Sequence, residues 1–324
     1  MTTDARTTSR RRTVLRAAGA LTATAAAAAL ALTLTSGPGA HAAIATGCQA
    51  TPSACGYPDA TNTGVPVGTA LTNVPGQATS GSGWAWNAAT QTVNVSTKGA
   101  VISGLNIAGT LNITASNVTV KDDQITSAGL YAVSLRHTQY VTVENSTISG
   151  QNATTGRVNY AIDDIYADST SMLFKNNNIA NWRVGINTTS GKITGNYIHN
   201  PGFIAGDHTD GIYDNEGNTP LAITGNTIEN TLGQTCDIIL ESATGVPVGN
   251  MTVSGNLLAG GGYSIYAGGA QNDSTNVKIT GNRFGQSYYS KSGQWGPQAD
   301  YQPSGTGNSW TGNTWDSTAT TVNP

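Results

Sequence analysis

Charge is scarce in this chain: Asp, Glu, Lys and Arg together make up only 10% of it. No basic stripe exists to neutralise a phosphate backbone, which argues against nucleic acid as a partner. After Ala43 no apolar run is long enough to span a bilayer, so no membrane association is expected once the leader is gone. Leu is too sparse for leucine-rich repeats, and propeller blades need four strands in about 40 residues. The Gly-Gly-x-Gly-x-Asp runs of calcium-binding rolls are missing too. Good helix formers give way to Gly, Asn, Ser and Thr, which favours tight turns and strands and disfavours long helices.

The first residues read as an address. Ser9-Arg10-Arg11-Arg12-Thr13-Val14-Leu15 resembles the twin-arginine export motif, an Ala/Leu-rich stretch follows, and Ala40-His41-Ala42 is a small-x-small cleavage signal. Residues 1–42 are therefore expected to be a signal peptide, and the protein to be secreted and extracellular. An uncleaved anchor is the alternative; the small-residue site argues against it. The leader holds five of the 15 basic residues and one of the 18 acidic ones, so the mature chain carries ten against seventeen, a net charge of −7. Cysteine is nearly absent. Cys48 and Cys55 are close enough to close a short disulfide loop, which an exported protein can keep. That leaves Cys236 as a buried thiol, with no histidine near it in sequence to activate it.

What the chain does have is a repeat. Alternating apolar residues are followed by Gly-Asn or a variant of it, and then by another apolar residue. The phrase reads Lys192-Ile193-Thr194-Gly195-Asn196-Tyr197-Ile198, then Ala222-Ile223-Thr224-Gly225-Asn226-Thr227-Ile228, and recurs around Asn145, Asn177, Asn256, Asn282 and Asn313. A second apolar strand lies between most copies: Ala132-Val133, Ala161-Ile162, Gly185-Ile186, Gly211-Ile212, Ile238-Ile239 and Ser264-Ile265. Each repeat thus holds at least two strands, too short to bury an apolar face alone. Stacked about 4.8 Å apart, they pair with their equivalents above and below and share one apolar column. The recurrent Asn suits a left-handed bend and can bond the Asn of the next rung as a ladder. About eight to ten rungs are expected between roughly residues 90 and 316.

The expectation is an all-β, single right-handed parallel β-helix; right-handed is the common outcome for parallel crossovers. Residues 43–89 would form a loop-rich cap over the open N-terminal end, and 90–324 the coil. Together, the cap phrase Gly56-Tyr57-Pro58-Asp59 and the Gly-Asn rungs resemble secreted bacterial right-handed β-helix proteins of the pectate-lyase-like class. That resemblance implies action on a polysaccharide outside the cell by a chain expected to be a monomer.

The sharpest local feature is Asp207-His208-Thr209-Asp210-Gly211-Ile212. Only His137, His199 and His208 survive leader removal, and His208 lies two residues from Asp210. Residues 209–214, Thr-Asp-Gly-Ile-Tyr-Asp, are similar to a polygalacturonase motif whose first Asp is a catalytic carboxylate; it matches Asp210. That family's paired Asp-Asp one rung on is reduced here to Cys236-Asp237, its Gly-His-Gly is replaced by Gly262-Tyr263-Ser264, and its Arg-x-Lys lacks the Arg.

Aligning Ile212 with Ile239 sets Asp210 beside Asp237 and Asp214 beside Glu241, at about 5 Å between adjacent rungs. Carboxyls so close repel, raising one pKa toward what a general acid needs. A one-residue slide would bury Cys236 and expose Asp237 and Glu241. Strict alternation turns Asp210 inward with Ile212 unless the chain corners at Gly211. The expected catalytic residues are Asp210, Asp237 and His208. Asp163, Asp164, Asp214, Glu241, Tyr131, Tyr160, Tyr213, Tyr263 and Arg183 are expected to bind substrate, the tyrosines by stacking on sugar rings. The alternative for each acid is a turn cap bonding backbone N–H groups.

These residues point to a glycoside hydrolase without a cofactor. A lyase or uronate epimerase, or a non-catalytic glycan-binding or surface protein, are the alternatives. Calcium would be compatible with the acids, but no spacing demands a metal.

Overall fold

The computed structural model describes residues 47–214, 217–241, 245–269 and 273–324. The expected leader and its cleavage site lie outside these residues. The chain is a parallel β-helix: it winds through three parallel sheets of nine, ten and eleven strands. Each turn takes one strand from each sheet in that order. One turn is Gly191–Thr194, Tyr197–His199 and Asp210–Asp214; the next is Leu221–Thr224, Thr227–Asn230 and Cys236–Leu240. The repeat predicts at least two strands per turn, and three are present. The additional one is the short segment just after each Gly-Asn.

Strands of three to five residues suffice because only their central positions need burial. In the nine-strand sheet Ile102, Val120, Val143, Phe174, Ile193, Ile223, Val253 and Ile279 stack in register. Ile107, Ile125, Ile148, Ile179, Ile198, Ile228, Leu258 and Phe284 do so in the second. Leu111, Val133, Ile162, Ile186, Ile212, Ile238 and Ile265 form the third column. The three columns meet along the axis as one buried core, excluding water from one continuous apolar surface.

At the bend between the first two sheets the repeat divides two duties. Gly195, Gly225, Gly255, Gly281 and Gly312 take positive φ, and Asn145 and Asn176 take it where no Gly is present. The following residue forms the ladder. Asn177, Asn196, Asn226, Asn256, Asn282 and Asn313 are fully buried, and each Nδ2 donates to the Oδ1 of the next at 2.9 to 3.0 Å. Asn145 was expected in the ladder. It supplies the bend instead, and Ser146 holds the ladder place, its N–H donating to Asn177 Oδ1 at 3.0 Å. One rung earlier that place belongs to Asp123, whose N–H donates to Ser146 Oγ at 3.2 Å.

The N-terminal segment differs from the expected cap. The Cys48–Cys55 disulfide is formed, but it sits beside the last rungs. Gln49 N–H donates to Asp316 Oδ2 at 2.8 Å, and Gln49 Oε1 accepts from Ser287 N–H at 3.1 Å. Further along, Gly64 N–H donates to Asn176 O at 2.9 Å and Val65 N–H to Thr147 Oγ1 at 3.2 Å. Thr72–Val74 then pairs with Leu105–Ala108 and opens the ten-strand sheet. Residues 47–74 therefore run as a strap along the coil, from its last rungs toward its first. Coiling begins before residue 90. Antiparallel pairing of Trp84–Asn87 with Thr92–Val95 covers the first of the parallel strands in the eleven-strand sheet, with Trp84 and Trp86 packed on the core.

Candidate active site

The outer face of the eleven-strand sheet carries most of the expected site residues. Its register pairs Tyr131 with Tyr160, Tyr160 with Val184, Val184 with Asp210, Asp210 with Cys236, and Cys236 with Tyr263. The next position in each strand is small and turned inward: Ala132, Ala161, Gly185, Gly211, Asp237 and Ser264 are all buried. A Cβ on Gly211 would lie 2.5 Å from Ile228 Cγ2 and 2.5 Å from Asp237 O. Packing thus requires glycine at this rung, and the chain turns here as it does at Ala132, Ala161 and Ser264, leaving Asp210 on the outer face while Ile212 stays in the core.

This register is the slid one, with Ile212 opposite Ile238. It buries Cys236 as expected but does not expose Asp237. That residue falls in the small-residue column and is fully buried. Its Oδ1 accepts the Asn230 N–H at 3.0 Å, and its Oδ2 has no partner. Burial pushes its carboxyl well above the usual range. The expected Asp210–Asp237 pair is therefore corrected: the two side chains leave opposite faces of the sheet.

Asp210 instead lines a cleft of about 320 Å³ with Tyr160, Arg183, Val184, His208, Tyr213, Thr235, Ile239 and Glu241. Burial raises its carboxyl to about 6, against the lowering influence of the Cys236 thiol, Arg183 and His208. Cys236 Sγ lies 3.3 Å from Asp210 Oδ1. Tyr213 is pushed up to about 12, first by burial and then by the negative charge of Glu241, to which its phenol is hydrogen-bonded. The Arg183 guanidinium sits 4.9 Å over the Tyr160 ring. His208 is exposed on the wall, its Nδ1 3.4 Å from Thr235 Oγ1.

The wall is anchored from behind. Arg157 grips Asp207 through two bonds of 2.6 Å, with both side chains about nine-tenths buried. Asp207 Oδ2 also accepts the Ile204 N–H at 2.8 Å. This clamp fixes the loop that delivers His208 and Asp210. Asn230 Nδ2 bonds the Thr209 carbonyl at 2.9 Å and the Cys236 carbonyl at 3.1 Å, tying together the rungs on which Asp210 and Cys236 sit. The sequence marks neither Arg157 nor Asn230, because both act across loops of irregular length.

The remaining expected residues separate by face. Asp163 is on the outer face, two rungs before Asp210, its Oδ1 accepting from Asn187 Nδ2 at 2.6 Å; burial raises it to about 6. Tyr131 and Tyr160 lie 6.0 Å apart, tilted by 31°. Tyr263 is outward, edge-on to Tyr266 at 5.5 Å, but does not line the cleft. Asp164 and Asp214 do not line the cleft. Both point inward at the next corner, where Asp164 accepts the Ser169 N–H at 3.1 Å and Asp214 the Gly217 N–H at 3.5 Å. For these two the turn-cap alternative holds.

A larger hollow, about 720 Å³, lies on the nine-strand sheet around Met172, Leu173, Lys192 and Leu221. Its lining contains no acid or histidine. Among the described residues no group of three or more His, Cys, Asp or Glu is arranged to hold a metal ion, and no helix is long and apolar enough to cross a membrane. No family model matches the chain, and no curated protein or solved structure does.

Proposed function

We propose that the protein is a secreted glycoside hydrolase acting on an extracellular polysaccharide, with Asp210 as general acid and Glu241 as the second carboxylate. The observation that carries this reading is their convergence on one cleft, Asp210 raised to about 6 by burial and Glu241 bonded to Tyr213. Two carboxyls in different environments are what glycosidic cleavage uses. Protonated Asp210 delivers its proton to the glycosidic oxygen as the C–O bond breaks. Glu241 takes the proton of the incoming water, or attacks the sugar carbon first and releases it to water afterwards. Arg183 offers positive charge and His208 a ring nitrogen to polar groups of the sugar, and Tyr160 and Tyr131 offer apolar ring faces along the coil.

Export is supported by the leader motif and by the Cys48–Cys55 bridge, a bond that persists in oxidising compartments. Arg183 also favours a second reading: a guanidinium beside a raised acid suits a lyase or epimerase that neutralises a uronate carboxylate. Incubating the mature chain with plant, algal and microbial polysaccharides separates the readings. New reducing ends without unsaturated product support hydrolysis, unsaturated ends support a lyase, and binding with neither supports a glycan-binding protein. Turnover should fall as pH rises above about 6, where Asp210 loses its proton. Asp210→Asn should abolish it; an undiminished rate in that variant rejects the assignment.

A further inference from the structure

Among the described residues, the thiol of Cys236 is the side chain hydrogen-bonded to the Asp210 carboxyl. We propose that Cys236 is a positioning residue for Asp210: its S–H donates to Oδ1 and holds the carboxyl so that Oδ2 presents its proton to the cleft. The proposal rests on the reading of Asp210 as the general acid, and it deepens that reading by naming what orients the acid.

The geometry follows from the coil. Asp210 and Cys236 are paired residues of adjacent rungs, so their side chains leave the sheet side by side. The Sγ to Oδ1 separation is 3.3 Å, a hydrogen-bonding distance for sulfur. Cys236 is fully buried. The chain that follows folds back over it: a Cβ on Gly261 would lie 2.7 Å from Cys236 Cα. Asn230 bonds the carbonyl of Cys236 and that of Thr209, the residue before Asp210, so the two backbones cannot drift apart. Burial and the charge of Asp210 push the thiol well above its ordinary pKa. It therefore remains a donor across the working pH range and is neither a nucleophile nor a metal ligand. A thiol is a weak donor. It orients a carboxyl without holding it ionised, which a guanidinium in the same place would do.

The other charged or titratable groups that act on Asp210 are Arg183 from the preceding strand, His208 from the loop before it, and Glu241 from beyond the next strand. Tyr213 on its own strand and Tyr266 two rungs on sense its charge in turn. A substitution at Cys236 leaves these residues in the sequence; of them Tyr266 also senses Cys236 itself.

The test is a carboxyl carbon-13 titration of Asp210 in the mature chain. Cys236→Ala should raise the Asp210 midpoint by about 0.5 to 1 unit, the worth of a weak hydrogen bond to a charged group. Cys236→Ser, which keeps a donor, should leave the midpoint at or below that of the parent. An unchanged midpoint in folded Cys236→Ala overturns the proposal. A second measurement needs no substitution at 236. Cys48 and Cys55 are bridged, so Cys236 supplies the only S–H infrared band. That band should move through the Asp210 titration and stop moving in Asp210→Asn; a band that ignores both overturns the proposal equally. Neither readout involves turnover. A coupled titration without hydrolysis sinks the enzyme reading, and hydrolysis with an uncoupled thiol sinks this inference alone.

Discussion

Replacing Asp123 by Asn should stabilise the protein by an amount that grows with pH. Asp123 occupies a ladder place that Asn holds in six later rungs, and it is fully buried. Its Oδ1 accepts the Leu105 N–H at 2.7 Å, and its Oδ2 is buried without a partner. Burial lifts its pKa from 3.8 to about 7. A group raised on folding gives its full stability below the unfolded pKa and loses it as pH climbs through the folded one. At about 1.4 kcal/mol per unit, a rise of about three units costs the folded chain about 4 kcal/mol by pH 8. Asn carries no charge to lose, and its Nδ2 can donate to Ser146 Oγ as the other rungs do to their neighbours. Urea unfolding followed by far-ultraviolet circular dichroism at pH 4 and pH 8 measures the difference. The other raised acids, Asp163, Asp164, Asp210, Glu229 and Asp237, are common to both proteins and cancel. The variant should gain about 4 kcal/mol more over the parent at pH 8 than at pH 4. Equal gains at the two pH values would show that Asp123 is not held protonated, and the burial argument would fail with it.

Two further outcomes follow from the register. Asn226→Ala removes two bonds accepted from Asn196 and the donations to Asn256 Oδ1 and Ile193 O. It strands buried polar groups on both sides and should cost about 4 kcal/mol in the same unfolding assay; a loss below about 1 kcal/mol would mean water replaces the ladder. Asp237→Asn should keep both the fold and any hydrolysis seen in the parent, because the side chain lies inside the coil; its turnover, compared with that of Asp210→Asn, checks the placement, and loss in both variants returns Asp237 to the site.

The coil was legible because its punctuation is chemical. A Gly that must take positive φ followed by an Asn that must bond its neighbour leaves few alternatives, and the phrase recurs often enough to give the rung count. The third strand was obscured because its three residues contain a single inward side chain, as at Tyr197-Ile198-His199. The register at Asp237 was missed because Ile238 and Ile239 both satisfy an apolar pattern. The discriminating cue was the small residue before each inward Ile: Ala132, Ala161, Gly185, Gly211 and Ser264 make Asp237 the sixth member of a packed column rather than a partner of Asp210. Asp210 was recognisable from the Thr209-Asp210-Gly211 phrase and from His208 two residues before it. Glu241 was named for binding, and its place in the cleft with Asp210 was not legible, since nothing in a linear pattern brings a residue beyond the end of one strand back toward the preceding rung. The strap gave little signal: the partners of Gln49 and Val65 lie 267 and 82 residues away in sequence, and a short disulfide loop does not announce which end of a solenoid it will sit on.

That strap alters how such a molecule comes apart. A stack whose layers touch only their neighbours can peel from either tip, one layer at a time. Here the opening residues are laced to the closing ones, Gln49 to Asp316, so the last layer cannot lift without unseating the first part of the chain. Synthesis imposes the reverse order: the lace emerges early and finds its seat only when the final layers exist. Until then the assembly stays open at its far end, and closure is the moment at which a row of local pairings becomes one cooperative object.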